Sequence, residues 1–338
     1  MIDTAAPYEV NRTLADVDHS EGMYPYPRFS LAERERRWSS LRALMSQQAL
    51  DAIVTPQNTG HSMDFQANTR WLTHCGGGGD ADIAAVFPLE GDVTIVATTA
   101  KLRWPPVQNW VTDAREARRN YGRVIVERLK ELNPKRIGIA GLGDGTRTPE
   151  GTILHGTYRQ IREAFPQADL VDATELLAEL RHVKSEEEIA FLARSKEFIE
   201  LATDAEIAAA KPGQSDWVVW AETVHAMFRA GSEMPVHCNW ISGARPQRTL
   251  TRASHRILEP GDIIMNELEA SWGGYRSQGV VPVTVGRPDP VYDELMKVQG
   301  ELFFDMLEAL KPGTTLGELQ QRCARKAQEV APKTGLAA

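Results

Sequence analysis

Apolar residues in this chain follow two rhythms. Short runs of strand length occur at Asp51 to Thr55, Ile83 to Phe87, Val93 to Ala97 and Arg136 to Ala140. Around them lie stretches in which apolar residues recur at helical spacing. Ser30-x-x-Glu33 is a capping box that opens the first helix, and Trp38, Leu41 and Met45 share one face of it. Strands alternating with helices predict an α/β domain. The residues ahead of it, 1–29, read as an irregular arm ending in Tyr24-Pro25-Tyr26-Pro27, which the prolines keep extended.

A second capping box, Ser185-x-x-Glu188, opens a long amphipathic helix with Ile189, Leu192, Ile199 and Ala202 expected inward. The domain boundary is therefore placed near Arg181 to Lys184, giving domains 30–183 and 184–338. Beyond it the sequence echoes itself. Lys211-Pro212-Gly213 separates two helical stretches, and Lys311-Pro312-Gly313 does the same later in the chain. The first copy continues into sheet, Val236 to Ser242 and then a hairpin, whereas the second reaches Ala338 just after its helix. On this pattern the chain reads as ending partway through a duplicated unit.

The hairpin spans Gly261 to Gly286. Two apolar, extended runs, Ile263 to Glu269 and Tyr275 to Val285, flank Ser271-Trp272-Gly273-Gly274, which has turn chemistry. A turn centred on Trp272 and Gly273 sets Glu267 opposite Gln278, with Cβ atoms about 5 Å apart. A carboxylate and an amide inside an apolar sheet need partners. They read either as a reactive pair or as a polar pair that fixes strand register.

The order Gly-Asp, an acid five residues on, and then Gly-Tyr-x-Ser-x resembles the pita-bread hydrolases: prolidase, aminopeptidase P, methionine aminopeptidase and creatinase. Leu180-Arg-x-Val-Lys-Ser-x-x-Glu-Ile189 is similar to the catalytic-domain entry of prolidase and creatinase relatives, and Asn68-Thr-Arg-Trp-Leu-Thr73 is similar to a stretch of creatinase-type N-terminal domains. The resemblance implies an α/β N-terminal domain followed by an α+β pita-bread domain that is present in part. It further implies a homodimer and a hydrolase of the Xaa-Pro peptidase or creatinase type, acting on a small C–N or amide bond. Metal-dependent relatives carry Asp at both hairpin positions. Here they are Glu267 and Gln278, and a neutral amide cannot bridge two cations. The expected cofactor is accordingly none, or one divalent metal (Mn, Zn or Fe) with Glu267 as ligand. In those relatives a His and two Glu of the second half complete the metal site. No residues align with them here, so the chain is expected to be a fragment of a longer one.

On the same resemblance Glu267 is the base or ligand and Gln278 orients the substrate. His237, on the preceding strand, is a candidate acid-base group, with a structural role as the alternative. Thr249 stands where metal-dependent relatives place a pocket His. Arg245 and Arg248, in the loop before the hairpin, suit bidentate capture of an anionic group, or else are solvated loop charges. Arg70 is a candidate substrate contact in trans. The rival from another class is a non-catalytic ligand-binding or interaction module.

Composition narrows the partners. The 338 residues are 42% hydrophobic, enough for two cores, and carry a formal charge of -8 with acids and bases interspersed. A balance of that kind, without a basic block, points away from nucleic acid, and the resemblance implies a small-molecule or short peptide-like substrate. Cys75, Cys238 and Cys323 lie far apart and lack zinc spacing, which suits a reduced, cytoplasmic compartment. No apolar run reaches membrane length. Gly76 to Gly79 lacks the Gly-Lys-Ser/Thr of a phosphate loop, and Gly141-x-Gly143-x-Gly145 lacks the spacing of a dinucleotide fingerprint. Both read as loops.

Overall fold

A computed structural model describes residues 28–57, 67–75, 83–98, 110–145, 148–234, 237–246 and 251–334. Residues 1–27 of the proline-rich arm and Gly76 to Gly79 fall outside them.

The first elements are α1 (Leu31–Gln47), β1 (Ala52–Thr55), α2 (Ala67–Thr73), β2 (Ile83–Pro88), β3 (Thr94–Ala97) and β4 (Asp113–Glu116). They are followed by α3 (Tyr121–Leu132), β5 (Arg136–Ile139), α4 (His155–Ala164), β6 (Asp169–Asp172) and α5 (Thr174–His182). Ser30 caps α1 as its motif requires, its hydroxyl accepting from the Glu33 amide at 3.0 Å. The six strands form one sheet in the order β4-β3-β2-β1-β5-β6. The pairs β1–β2 and β2–β3 are antiparallel, and β3–β4, β1–β5 and β5–β6 are parallel. Ile53, Phe87 and Ile95 pack on one face with Trp38, Leu41 and Met45 of α1. Val54, Val86 and Val96 pack on the other with Val124, Ile125 and Leu129 of α3. Burial on both faces explains why these strands read as unbroken apolar runs rather than alternating ones.

The later elements are α6 (Glu186–Ala209), α7 (Asp216–Ala230), β7 (Cys238–Gly243), β8 (Ile263–Trp272), β9 (Tyr275–Gly279), β10 (Val283–Thr284), α8 (Pro290–Ala309) and α9 (Leu316–Thr334). Strand β8 is the centre of the second sheet, pairing with β7 along one edge and with β9 and β10 along the other. By contact, the described residues fall into two compact units. Met1–Ile199, Phe228–Val236 and Glu269–Gln278 form one, and Glu200–Met227, His237–Leu268 and Gly279–Ala338 form the other.

Two expectations change. Ile189, expected inward on α6, is 49% exposed, and Glu188 beside it is buried instead. Glu188 is drawn in because its carboxylate accepts from the Ser185 amide, the Trp71 indole N–H and the Tyr275 hydroxyl. The hairpin turn also moves by one residue. Gly273 and Gly274 form it, both with φ in the left-handed region, while Trp272 stays in β8 with its ring edge-on to Phe198. A two-residue turn of this hand favours glycine at both centres.

Candidate active-site hairpin

The alternation of β8 sorts its side chains into two sets. Ile264, Asn266, Leu268 and Ala270 are completely buried. Asn266 donates its amide to Glu206 of α6 at 2.7 Å. Trp240, which faces Asn266 across β7 and β8, sends its indole N–H to Asp216 of α7 at 2.6 Å. This side of the strand therefore meets the helices. Met265, Glu267 and Glu269 occupy the other side.

Register follows from the turn. Ile264 faces Val283 and Ile263 faces Thr284, and each pair of residue numbers sums to 547, as do Trp272 and Tyr275 beside the turn. Counting between these ends places Val280 across from Glu267 and Gln278 across from Glu269. The expected facing of Glu267 and Gln278 is thus replaced by one two residues offset, because the glycines rather than Trp272 make the bend. Glu267, Glu269 and Gln278 still belong to one face of the pleat.

Each of these residues has a defined setting. Asn239 of β7 lies opposite Glu267 and donates its amide to Glu267 Oε2 at 2.9 Å. His237 immediately precedes β7, is half-buried, and by alternation falls on the side of Asn239. Arg276 Nη1 lies 3.6 Å from Glu269 Oε1, and Glu269 is only 5% exposed. Gln278 is exposed.

The hairpin turn is held by a second acid. Arg70 donates from both terminal nitrogens to Glu233, at 3.2 and 2.5 Å. Glu233 also accepts from the Ser271 hydroxyl at 2.8 Å and the Gly274 amide at 2.9 Å. Burial pushes the Glu233 carboxyl up, but the Arg70 charge and these hydrogen bonds outweigh it and hold the group below its ordinary value. Arg70 is therefore engaged with the turn. Arg245 is far more open, with its side chain 81% exposed and 3.5 Å from Asp289. Arg248 and Thr249 lie outside the described residues.

Sequence reasoning missed Asn239, Glu206 and Glu233. Asn239 had one available signal, its position two residues from His237 on the same strand. Glu206 and Glu233 carried none, since a lone acid in a helix or loop reads as solvated. Among the described residues, no group of three or more His, Cys, Asp and Glu side chains is placed to hold a metal ion. No helix among them is long and apolar enough to cross a membrane.

With this geometry in view, two family descriptions match. Residues 37–183 match the Creatinase/Prolidase N-terminal domain, and residues 191–336 match Metallopeptidase family M24. The Xaa-Pro dipeptidase of Pyrococcus horikoshii is 25% identical over 241 residues, covering 70% of this chain and 66% of the relative. The Xaa-Pro dipeptidase of Pyrococcus furiosus is 28% identical over 171 residues, covering 50% and 49%. The chain thus spans between half and two-thirds of the length of these curated relatives. In fold it is similar to the X-Pro aminopeptidase of Thermotoga maritima, with a TM-score of 0.73, 19% identity and coverage of 86% and 77%.

Proposed function

Because this chain belongs to the pita-bread hydrolases, with a creatinase/prolidase N-terminal domain followed by a domain of metallopeptidase family M24, we infer that it is a hydrolase of a small C–N or amide bond, of the Xaa-Pro peptidase or creatinase type. Its divergence lies at the hairpin. The observation that carries the reading is Glu267, which stands at the family's first acidic position and is oriented by Asn239 at 2.9 Å.

In this reading Glu267 takes the proton of the attacking group, and the Asn239 amide fixes which carboxylate oxygen is presented. A positioned base of this kind contributes about 10²–10⁴-fold. Gln278, an exposed neutral donor and acceptor on the same face, aligns the substrate amide. His237, which precedes β7 on the side of Asn239, is the group assigned in this reading to return a proton to the leaving nitrogen.

The described residues do not fit a two-metal centre. Gln278 replaces a bridging carboxylate, and a neutral amide is a weak ligand for a hard cation. The hydrolase proposed here therefore works with no cofactor or with one divalent ion. Where present, that ion would polarise the scissile carbonyl with Glu267 as one ligand.

The test is a hydrolysis screen over Xaa-Pro dipeptides and small amides, with metal analysis of the same preparation. Turnover that drops by about 10²-fold or more in Glu267→Gln supports the reading. Binding of such compounds without turnover, with or without added Mn, Zn or Fe, overturns it in favour of a ligand-binding module. That alternative draws on the neutral Gln278.

A further inference from the structure

Glu206 is a carboxylic acid on which no cation acts among the described residues. It is completely buried on the inward side of α6. Its Oε2 accepts from Asn266 at 2.7 Å, while Oε1 has no hydrogen-bond partner among the described residues. The charged group that acts on it is Asp216 at the start of α7, another acid. Asp216 is itself held by the Trp240 indole N–H at 2.6 Å and by the Ser254 amide at 2.9 Å. Asn266 of β8 is its hydrogen-bond partner, and beyond it lies the backbone carbonyl of Val281.

Asn266 has a second task. Between the end of β9 at Gly279 and the start of β10 at Val283 the backbone ladder against β8 is interrupted. The Asn266 side chain fills that gap in the manner of a strand, donating to the Val281 carbonyl at 2.8 Å and accepting from the Val281 amide at 3.0 Å. One side chain thus joins Glu206 to the segment that faces Glu267, the next residue along β8.

We propose that Glu206 is a proton-carrying positioning residue: its neutral carboxyl, acting through Asn266, clamps the Gly279–Val283 segment onto β8 beside Glu267, and its ionisation loosens that clamp. An ionised carboxylate sealed from water beside a second acid, without a countercharge, is unfavourable. A neutral carboxyl still accepts the Asn266 hydrogen bond. In agreement with that geometry, burial pushes the group up to about 8 from an ordinary 4.5, with Asp216 adding to the rise and Asn266 opposing it. The sign follows from linkage. A carboxyl whose folded value is raised binds more protons when folded, so its stabilising effect is whole below 4.5 and is lost as pH rises through about 8. The inference goes beyond the hydrolase reading and does not depend on turnover.

The test compares thermal unfolding of the chain and of Glu206→Gln from about pH 5 to about pH 9. Gln keeps the neutral shape and cannot ionise. The two midpoints are expected to agree within about 1 °C on the acid side, and the wild type to fall roughly 2–5 °C below the variant on the alkaline side. Parallel midpoints across the range would overturn the proposal. A second measurement, on the wild type alone, covers the case of a variant that does not fold. It follows hydrogen exchange at the Val281 amide, corrected for intrinsic rate. Protection that falls about tenfold or more between those limits supports the clamp, and constant protection refutes it.

Discussion

Glu188 and Glu206 lie on the same inward side of α6, eighteen residues or five turns apart, and solve the problem of a buried carboxylate in opposite ways. Glu188 is surrounded by donors and cations. The Ser185 amide, Trp71 Nε1 and the Tyr275 hydroxyl reach it at 2.8, 3.2 and 2.5 Å, and Arg36 and Arg37 approach to 3.1 and 3.5 Å. Glu206 has Asn266 and an acid for a neighbour. Removing a carboxylate buried among cations leaves those cations to bear the penalty of burial. A carboxyl buried without them gives up the charge and costs little to replace by an amide. Burial alone therefore says nothing about which residue the fold depends on.

The same substitution at the two sites gives the sharpest break of this contrast. Glu188→Gln removes the counter-charge that Arg37, 1% exposed, shares with Glu33. Its expected cost is about 3–5 kcal/mol, the range for breaking a buried pair. Glu206→Gln keeps the volume and the acceptor, so it is expected to cost under about 1 kcal/mol on the acid side and nothing at neutral pH, where the unfolded wild type has already released the proton that its folded form holds. Urea midpoints at unchanged slope measure both. Equal losses at the two positions would erase the distinction.

The Arg70–Glu233 pair falls between these extremes, with side chains 11% and 20% exposed. Arg70→Met leaves Glu233 with the Ser271 and Gly274 donors but no cation, at an expected cost of about 1.5–3 kcal/mol. The pH signature is opposite to that of Glu206. The Glu233 carboxyl is held below its ordinary value. It therefore contributes stability above the unfolded value near 4.5, and loses it as pH falls through the folded value. The gap in unfolding free energy between the wild type and Arg70→Met should therefore narrow as pH falls below about 4.5. A gap that stays constant into acid would mean that Arg70 contributes packing rather than charge.

These sites also mark how far the sequence could be read. The α/β alternation, the capping boxes at Ser30 and Ser185, and the hairpin at Gly261 to Gly286 follow from local rules that the fold obeys. The family resemblance rested on the same hairpin together with the stretches at 180–189 and 68–73. The register was off by one turn residue: a two-residue turn of this hand favours glycine at both centres, which selects Gly273-Gly274 over Trp272-Gly273, and Trp272 packs edge-on to Phe198 instead. The polar residues on the inward side of α6, Glu188, Ser195 and Glu206, were illegible for a related reason. Periodicity assumes an apolar face, whereas these three are buried by partners remote in sequence: Trp71, Ala270 and Asn266. Asn239 carried one signal, its spacing from His237, but only strand pairing set it against Glu267.

A smaller effect tests whether backbone donors matter to the charged solution. Gly274 gives its amide to Glu233 at 2.9 Å with φ at +83°, and an added Cβ would lie 2.8 Å from Arg70 Cδ. Gly274→Ala is strained by the left-handed backbone and displaces the Arg70 stem, for an expected loss of about 1–2 kcal/mol. A thermal melt of Gly274→Ala made alone and in the Arg70→Met background separates the two terms. The loss should shrink in the double variant, where the stem is no longer bound to Glu233. Full additivity would place the whole cost in the backbone.

The smallest effect belongs to Arg245, and it bounds the comparison from the solvent side. Its side chain is 81% exposed, with Asp289 at 3.5 Å. Water screens a pair of that kind, and ordering two side chains offsets what attraction remains. Arg245→Ala should therefore move the unfolding free energy by less than about 0.5 kcal/mol. If Arg245 serves the substrate, the same variant should raise KM with kcat and melting temperature unchanged, because an exposed guanidinium then contributes binding and nothing to the fold. Stability lost together with activity would instead make Asp289, the N-cap of α8, the residue through which Arg245 acts. A carboxylate at a helix N-terminus already meets the positive end of the helix dipole, so it needs little from a solvated cation. That is why the first outcome is the expected one.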